Sequence, residues 1–140
     1  MDTKFSTAVH ILIFTSEHEG TVTSEALARS VGTNPSHIRK ILTALKTAGL
    51  IHSSQGKKGI HLAQPKESIT LDTIYRAVYP DKEILHIHPG NPQCPIGANI
   101  DGVLSPIFHQ SEQSLLAQLH QQTLNSLIND MRALHATTES

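Results

Sequence analysis

The sequence predicts a mainly α fold with a small β-hairpin, and three observations predict it. Apolar residues recur at the three-and-four spacing of a helix in six separate stretches of the 140 residues. One pair of short strand-like runs, Leu50 to Ser54 and Ile60 to Ala63, interrupts them and is joined through Gln55-Gly56-Lys57-Lys58-Gly59. Helix start and stop residues stand where the stretches begin and end. The length leaves room for one ordinary domain plus an appendage, and a chain that is 38% hydrophobic and 16% charged lies in the globular range.

The first stripe, Phe5, Ala8, Val9, Leu12 and Ile13, lies on one face of a helix between Thr3 and Ser16. Thr23 can cap a short second helix whose inner face is Leu27, Ala28 and Val31 and which Gly32 stops. Asn34-Pro35 starts a third, an N-cap residue followed by a proline at the position where a missing N–H costs nothing. Its buried stripe is Ile38, Ile41, Leu42 and Leu45, and Gly49 supplies the left-handed stop. After the hairpin a fourth helix from about Thr70 to Tyr79 turns Leu71, Ile74, Tyr75 and Val78 inward and ends at Pro80. A loop rich in Pro, Gly and His follows. From Asn99 a long helix carries a broad apolar surface of Val103, Leu104, Ile107, Phe108, Leu115, Leu116 and Leu119, with Pro106 bending it or marking its start. A last helix after Thr123 buries Leu124, Leu127, Ile128 and Met131, and a loose tail is expected from Ala136. The expected organisation is therefore residues 1–66, 67–98 (linking helix and loop), 99–135 (the long helix and its successor) and a tail over 136–140.

Charge separates the same parts. The net charge is −1, yet between Ala26 and Lys66 there is no acidic residue, while Arg29, Arg39, Lys40, Lys46, Lys57, Lys58 and Lys66 all fall there. That stretch is +7 and the rest of the chain −8. A basic module on an acidic remainder points to a nucleic-acid face.

Taking 100° per residue, the third helix presents Ser36, Lys40, Thr43 and Thr47 opposite its buried stripe, with His37 and Arg39 on the flanks. These are donors and cations without a carboxylate. Two short helices joined by a glycine turn, followed by a basic hairpin, make a winged helix-turn-helix, and the long helix after it reads as a dimerisation helix. The expected partner is double-stranded DNA: Ser36, His37, Arg39, Lys40 and Thr43 reach base edges in the major groove, while Lys46, Lys57 and Lys58 hold phosphates or enter the minor groove. The alternative class is a winged-helix module that binds protein. An enzyme is not expected, because there is no phosphate loop, nucleophile elbow or helical zinc motif.

From Val22 to Tyr79 the chain resembles the Rrf2 family of bacterial winged-helix regulators, which includes the IscR-like and NsrR-like iron–sulfur sensors. The stretches that carry the resemblance are the Phe5 to Phe14 helix, VTSEALARSVGTNPSHIRKILTALKTAGLIHSSQGKKGIHLAQP, ITLDTIYRAV and the CPIG before the long helix. The family wing is written Gly-x-x-Gly-Gly-Tyr; here Gly56, Lys57, Lys58, Gly59, Ile60 and His61 stand in its place. The resemblance implies a homodimer built on the long helix, a near-palindromic operator and, with a compact dimer covering a promoter, repression. Cluster-bearing members use three cysteines in the loop before that helix, whereas Cys94 is the only cysteine in this chain, so a cluster-free branch with no cofactor is expected.

Cys94, close to the start of the long helix, is a candidate redox-sensing thiol. His86, His88 and Cys94 together are the alternative, a metal-responsive site, since alternate residues of an extended segment point the same way. No apolar run approaches the roughly 20 residues of a membrane span, and the first residues carry no apolar signal segment, so a cytoplasmic protein with no membrane partner is expected.

Overall fold

The structure, a computed structural model, describes residues 2–53, 58–80 and 84–139, the side chains of 138 and 139 excepted. In chain order it consists of α1 (Lys4–Glu17), α2 (Ser24–Val31), α3 (Pro35–Thr47), β1 (Ile51–His52), β2 (His61–Leu62), α4 (Leu71–Val78), α5 (Pro95–His120) and α6 (Leu124–Glu139). β1 and β2 pair antiparallel, Ile51 opposite Leu62 and His52 opposite His61.

One hydrophobic cluster unites Ala8, Ile11 and Leu12 of α1, Leu27 of α2, Ile38, Ile41 and Leu45 of α3, Leu50 and Ile51 at the hairpin, Ile74 of α4 and Leu124 and Ile128 of α6. The helix boundaries follow from their caps. Thr23 accepts a hydrogen bond from the Ala26 N–H at 3.1 Å, and Asn34 accepts from the His37 N–H at 2.8 Å. Gly32 and Gly49 take the left-handed conformation, with φ of 84° and 77°, that stops α2 and turns the chain after α3. Thr123 and Ser126 cap α6 reciprocally, each hydroxyl accepting the other's backbone N–H. Backbone bonds from Leu71 N to Gln122 O and from Leu124 N to Ile69 O tie that corner to the start of α4.

The structure departs from the sequence expectations in four places, the first being Met131 of α6, expected in the core but 51% exposed because it lies at the rim beyond Ile128. The strands are two residues each, shorter than Leu50 to Ser54 and Ile60 to Ala63, although a bond from Ala63 N to Leu50 O continues the pairing by one step. The long helix starts at Pro95 instead of Asn99 and runs through Pro106; a proline at the first helical position has its φ preset and no N–H to leave unpaired. At the other end α6 continues past Ala136 to Glu139, so no loose tail begins at Ala136. The Thr137 hydroxyl returns to the Ala133 carbonyl there at 3.0 Å, and both alanines favour the helix.

α5 has no buried residue along its 26 positions. One side rests on the molecule: the Leu85 N–H donates to the Glu112 carboxylate at 2.9 Å, and His120 Nδ1 meets Asp72 Oδ2 at 3.0 Å. The side formed by Ile96, Ile100, Val103 and Ile107, within about 60° of one another around the axis, faces away, and Ile96 is 77%, Val103 60% and Ile107 55% exposed. Among the described residues no helix is long and apolar enough to cross a membrane.

Candidate nucleic-acid interface

The amphipathic split of α3 makes this surface. Ile38, Ile41 and Leu45 go into the core, which turns Ser36, Arg39, Lys40, Thr43 and Thr47 outward, all exposed. Arg39, Lys40 and Lys58 make no ion pair with any described carboxylate, so their charges are available to an external anion. Lys66 differs, because its ammonium pairs with Glu17 at 3.3 Å.

Local bonds limit what some of these groups can offer. The Thr43 hydroxyl donates to the Arg39 carbonyl at 3.0 Å, leaving its methyl group and oxygen lone pairs for an incoming base. The Lys46 amine donates to the Ser53 hydroxyl at 3.2 Å and bridges α3 to the end of β1. His37 is half-buried and lines a polar cleft of about 440 Å³ with Thr3 before α1, Ser6, Thr7 and His10 of α1 and Thr33 of the turn. It is turned further from the outer face of α3 than the flank position suggested. Lys57 lies outside the described residues; Lys58 is exposed at the far end of the hairpin connection.

The base of the wing is held by contacts that sequence reading did not supply. Ile60 N donates to the Val22 carbonyl at 3.0 Å. Gly59, at φ 92°, approaches so near that a Cβ there would stand 2.8 Å from the same carbonyl oxygen. The facing of His52 and His61 also goes unannounced by either residue alone; it follows from the register that sets Ile51 opposite Leu62.

Cys94 is the N-cap residue of α5, partly exposed, and its carbonyl accepts from Ala98 N at 2.8 Å. The backbone N–H groups of Gly97 and Ile96 hold its thiol below the ordinary cysteine value. His86, His88 and Cys94 are not gathered into a site: among the described residues, no three His, Cys, Asp or Glu side chains could hold a metal ion together.

Comparison with known proteins fits this architecture. The Rrf2 family model, described as an iron-dependent transcriptional regulator, matches residues 1–130. YwnA of Bacillus subtilis (strain 168), named as an HTH-type transcriptional regulator, is 32% identical over 132 residues that span 94% of this chain and 98% of YwnA. A crystal structure of a transcriptional regulator from Lactobacillus plantarum superposes with a TM-score of 0.77 at 28% identity over 100% of both chains. IscR of T. potens shares the fold, with a TM-score of 0.70 at 20% identity over 94% of this chain and 87% of its own. The residues present do not fit an iron–sulfur cluster, because such clusters need several thiolates and the chain has one, with no group of three donors gathered among the described residues.

Proposed function

The chain belongs to the Rrf2 family of DNA-binding transcriptional regulators, and on that premise we propose that it acts in the cytoplasm as a cluster-free homodimeric repressor of a near-palindromic operator. The observation that carries this reading is the outer face of α3, where Ser36, Arg39, Lys40 and Thr43 are exposed together without a carboxylate among them. Arg39 and Lys40 suit guanine O6 and N7, and Thr43 offers a methyl group to thymine. Lys46, Lys57 and Lys58 hold phosphates and set register, and His37 contributes from the edge of the reading face.

The unpartnered apolar side of α5 supports the dimer. Ile96, Val103 and Ile107 present a stripe that a second copy of the same helix would cover by isologous packing. A groove of about 700 Å³ between α1 and α6, lined by Val9, Ile13, Phe14, Ile128 and Met131, adds apolar surface to what pairing can bury. Two reading heads related by a two-fold axis require half-sites about 10 base pairs apart, centre to centre, or a multiple of that. Selection of bound duplexes from a random pool tests the reading. Enrichment of inverted repeats at that spacing is expected; asymmetric sites, or no enrichment, would overturn it.

The Cys94 thiol supports a second element, redox response. Two backbone N–H groups favour its thiolate, which can attack a peroxide oxygen; the O–O bond breaks, hydroxide leaves and takes up a proton as water, and the sulfur becomes a sulfenic acid at the first turn of α5. Operator affinity should change on peroxide treatment in the parent and not in Cys94→Ser. An equal change in both, or no change in either, removes this element.

A further inference from the structure

His52 and His61 face each other across the hairpin as register partners, their ring centres 5.8 Å apart and their planes tilted by 35°. Ile51 on the other side of β1 is buried, while on the histidine side His52 is exposed and His61 half-buried. Nε2 of His61 is shielded from solvent and has no hydrogen-bond partner, whereas shielded ring nitrogens as a rule find one. DNA recognition as proposed above uses neither ring. Position 61 is also where this wing departs from the family pattern, a histidine standing in the place of tyrosine.

We propose that His52 and His61 together chelate one divalent transition ion of the borderline class, Zn²⁺, Ni²⁺ or Cu²⁺, at the base of the wing. Neutral imidazole is the commonest metal ligand, and directly opposed strand positions place their Cβ atoms about 4.5–5.5 Å apart, within reach of a shared ion. With metal–nitrogen distances of about 2.0–2.1 Å and a tetrahedral angle, two imidazole centres stand about 5 Å apart, so the pair needs to close by less than about 1 Å. Water fills the remaining positions, since no third His, Cys, Asp or Glu joins the pair among the described residues. The site is therefore exchangeable, with Cu²⁺ bound most tightly of the three. A cross-strand chelate pins a ladder only two residues long, and so fixes the approach of Lys58 and Gly59 to it. That last consequence, tighter operator binding by the loaded protein, rests on the DNA-binding reading; the metal site itself does not.

The test is calorimetric titration of untagged full-length protein with each metal chloride at about pH 7.5, because metal binding competes with protons and weakens in acid. Parent, His52→Ala and His61→Tyr are compared, with melting of each metal-free protein to confirm folding. One ion per chain is expected in the parent, with affinity falling at least about tenfold in each variant. In the parent, two of the ten histidine ring resonances should shift together on loading. Binding that survives either substitution places the ion elsewhere and overturns the proposal, as does a folded parent that takes up none of the three ions. Operator titration with and without metal separates the two layers: metal uptake with unchanged operator affinity overturns the coupling and leaves the chelate standing. Failure to bind DNA under any condition overturns the functional reading instead.

Discussion

Gly97 lies so close to Asn91 that a Cβ on the glycine would stand 2.6 Å from the Asn91 carbonyl oxygen. Gly90, at φ 71°, also packs against the Gly97 backbone, and the Gln93 and Cys94 N–H groups bond to the Asn91 side chain and carbonyl at 2.9 and 3.1 Å. The segment before α5 is thus folded onto the first turn of that helix. Glycine inside a helix costs about 1 kcal/mol relative to alanine, so Gly97 is there for the approach it permits. Gly97→Ala should lower stability by about 1–3 kcal/mol, because backbone must move to admit the methyl group. Gly102→Ala, where a Cβ meets open space, should be neutral or raise stability by up to about 1 kcal/mol. Thermal melting of the two variants beside the parent checks the contrast.

Asn34 sets where α3 begins. Its side chain is the acceptor for the His37 N–H, so Asn34→Ala leaves one first-turn donor without its cap and should cost about 1 kcal/mol. Hydrogen exchange at the His37 amide should quicken selectively, and Asn34→Asp or Asn34→Ser should restore most of the loss. Equal exchange rates in parent and alanine variant would show that the cap contributes nothing in solution.

Most of this architecture could be read from the chain because its signals are local. Asn34-Pro35, Thr23, Gly32 and Gly49 act through backbone atoms a few residues away, and the stripe Ile38, Ile41, Leu45 has a period that only a helix satisfies. The cations of α3 were legible for the same reason: once the buried side is known, the outer side follows. What escaped depends on chain segments far apart in sequence. Gly59 against Val22, the half-burial of His37 against α1, and the pairing of Lys66 with Glu17 are tertiary facts with no periodic signature. The start of α5 was misplaced because CPIG reads as loop composition, while Pro95 at the first position makes it a helix start. The last turns of α6 rest on weak propensities that a short window cannot distinguish from a frayed end.

Glu17 gives the fold an acid limit. Its carboxylate accepts from Ser16 and pairs with Lys66 and Arg132, and these interactions, the Ser16 bond foremost, lower its pKa from 4.5 against the opposing effect of partial burial. A carboxyl whose folded value is depressed contributes stability above its unfolded value, and loses that contribution as pH falls through the folded value. Stability should therefore decline from about pH 4.5 downward, and Glu17→Gln should reduce stability at pH 7 while flattening that part of the acid decline. Urea unfolding across pH 3 to 7, in steps of about half a unit, measures both. A decline of the same steepness in the variant would assign the acid sensitivity to other carboxylates.

The stripe on α5 predicts a way to separate pairing from folding. Val103 and Ile107 are more than half exposed, so Val103→Glu and Ile107→Glu should leave the fold of one chain intact while placing like charges across the proposed two-fold contact. Sedimentation should show parent dimer and variant monomer with the same far-ultraviolet dichroism, and the variants should lose operator affinity without losing residual binding to a single half-site. A variant that remains dimeric would move the contact to another surface, the groove between α1 and α6 being the first to examine.

Lys40 and Lys58 should fail in different ways. Lys40 is exposed on the outer face of α3; if it reads a base edge as proposed, its replacement by alanine should cost about 1–3 kcal/mol at the preferred site and relax the choice of base there. Lys58 is exposed beside the wing glycine; if it neutralises a phosphate as proposed, Lys58→Ala should weaken binding to every sequence alike. Each phosphate that the protein no longer neutralises takes about 0.9 off the slope of log affinity against log salt, so in a dimer Lys58→Ala should reduce the slope by about 2. Affinities for the operator and for a scrambled duplex, measured between about 50 and 200 mM salt, separate the two effects. If Lys40→Ala instead lowers both affinities equally and Lys58→Ala alters site preference, reading and anchoring are exchanged, and the outer face of α3 is not what enters the major groove.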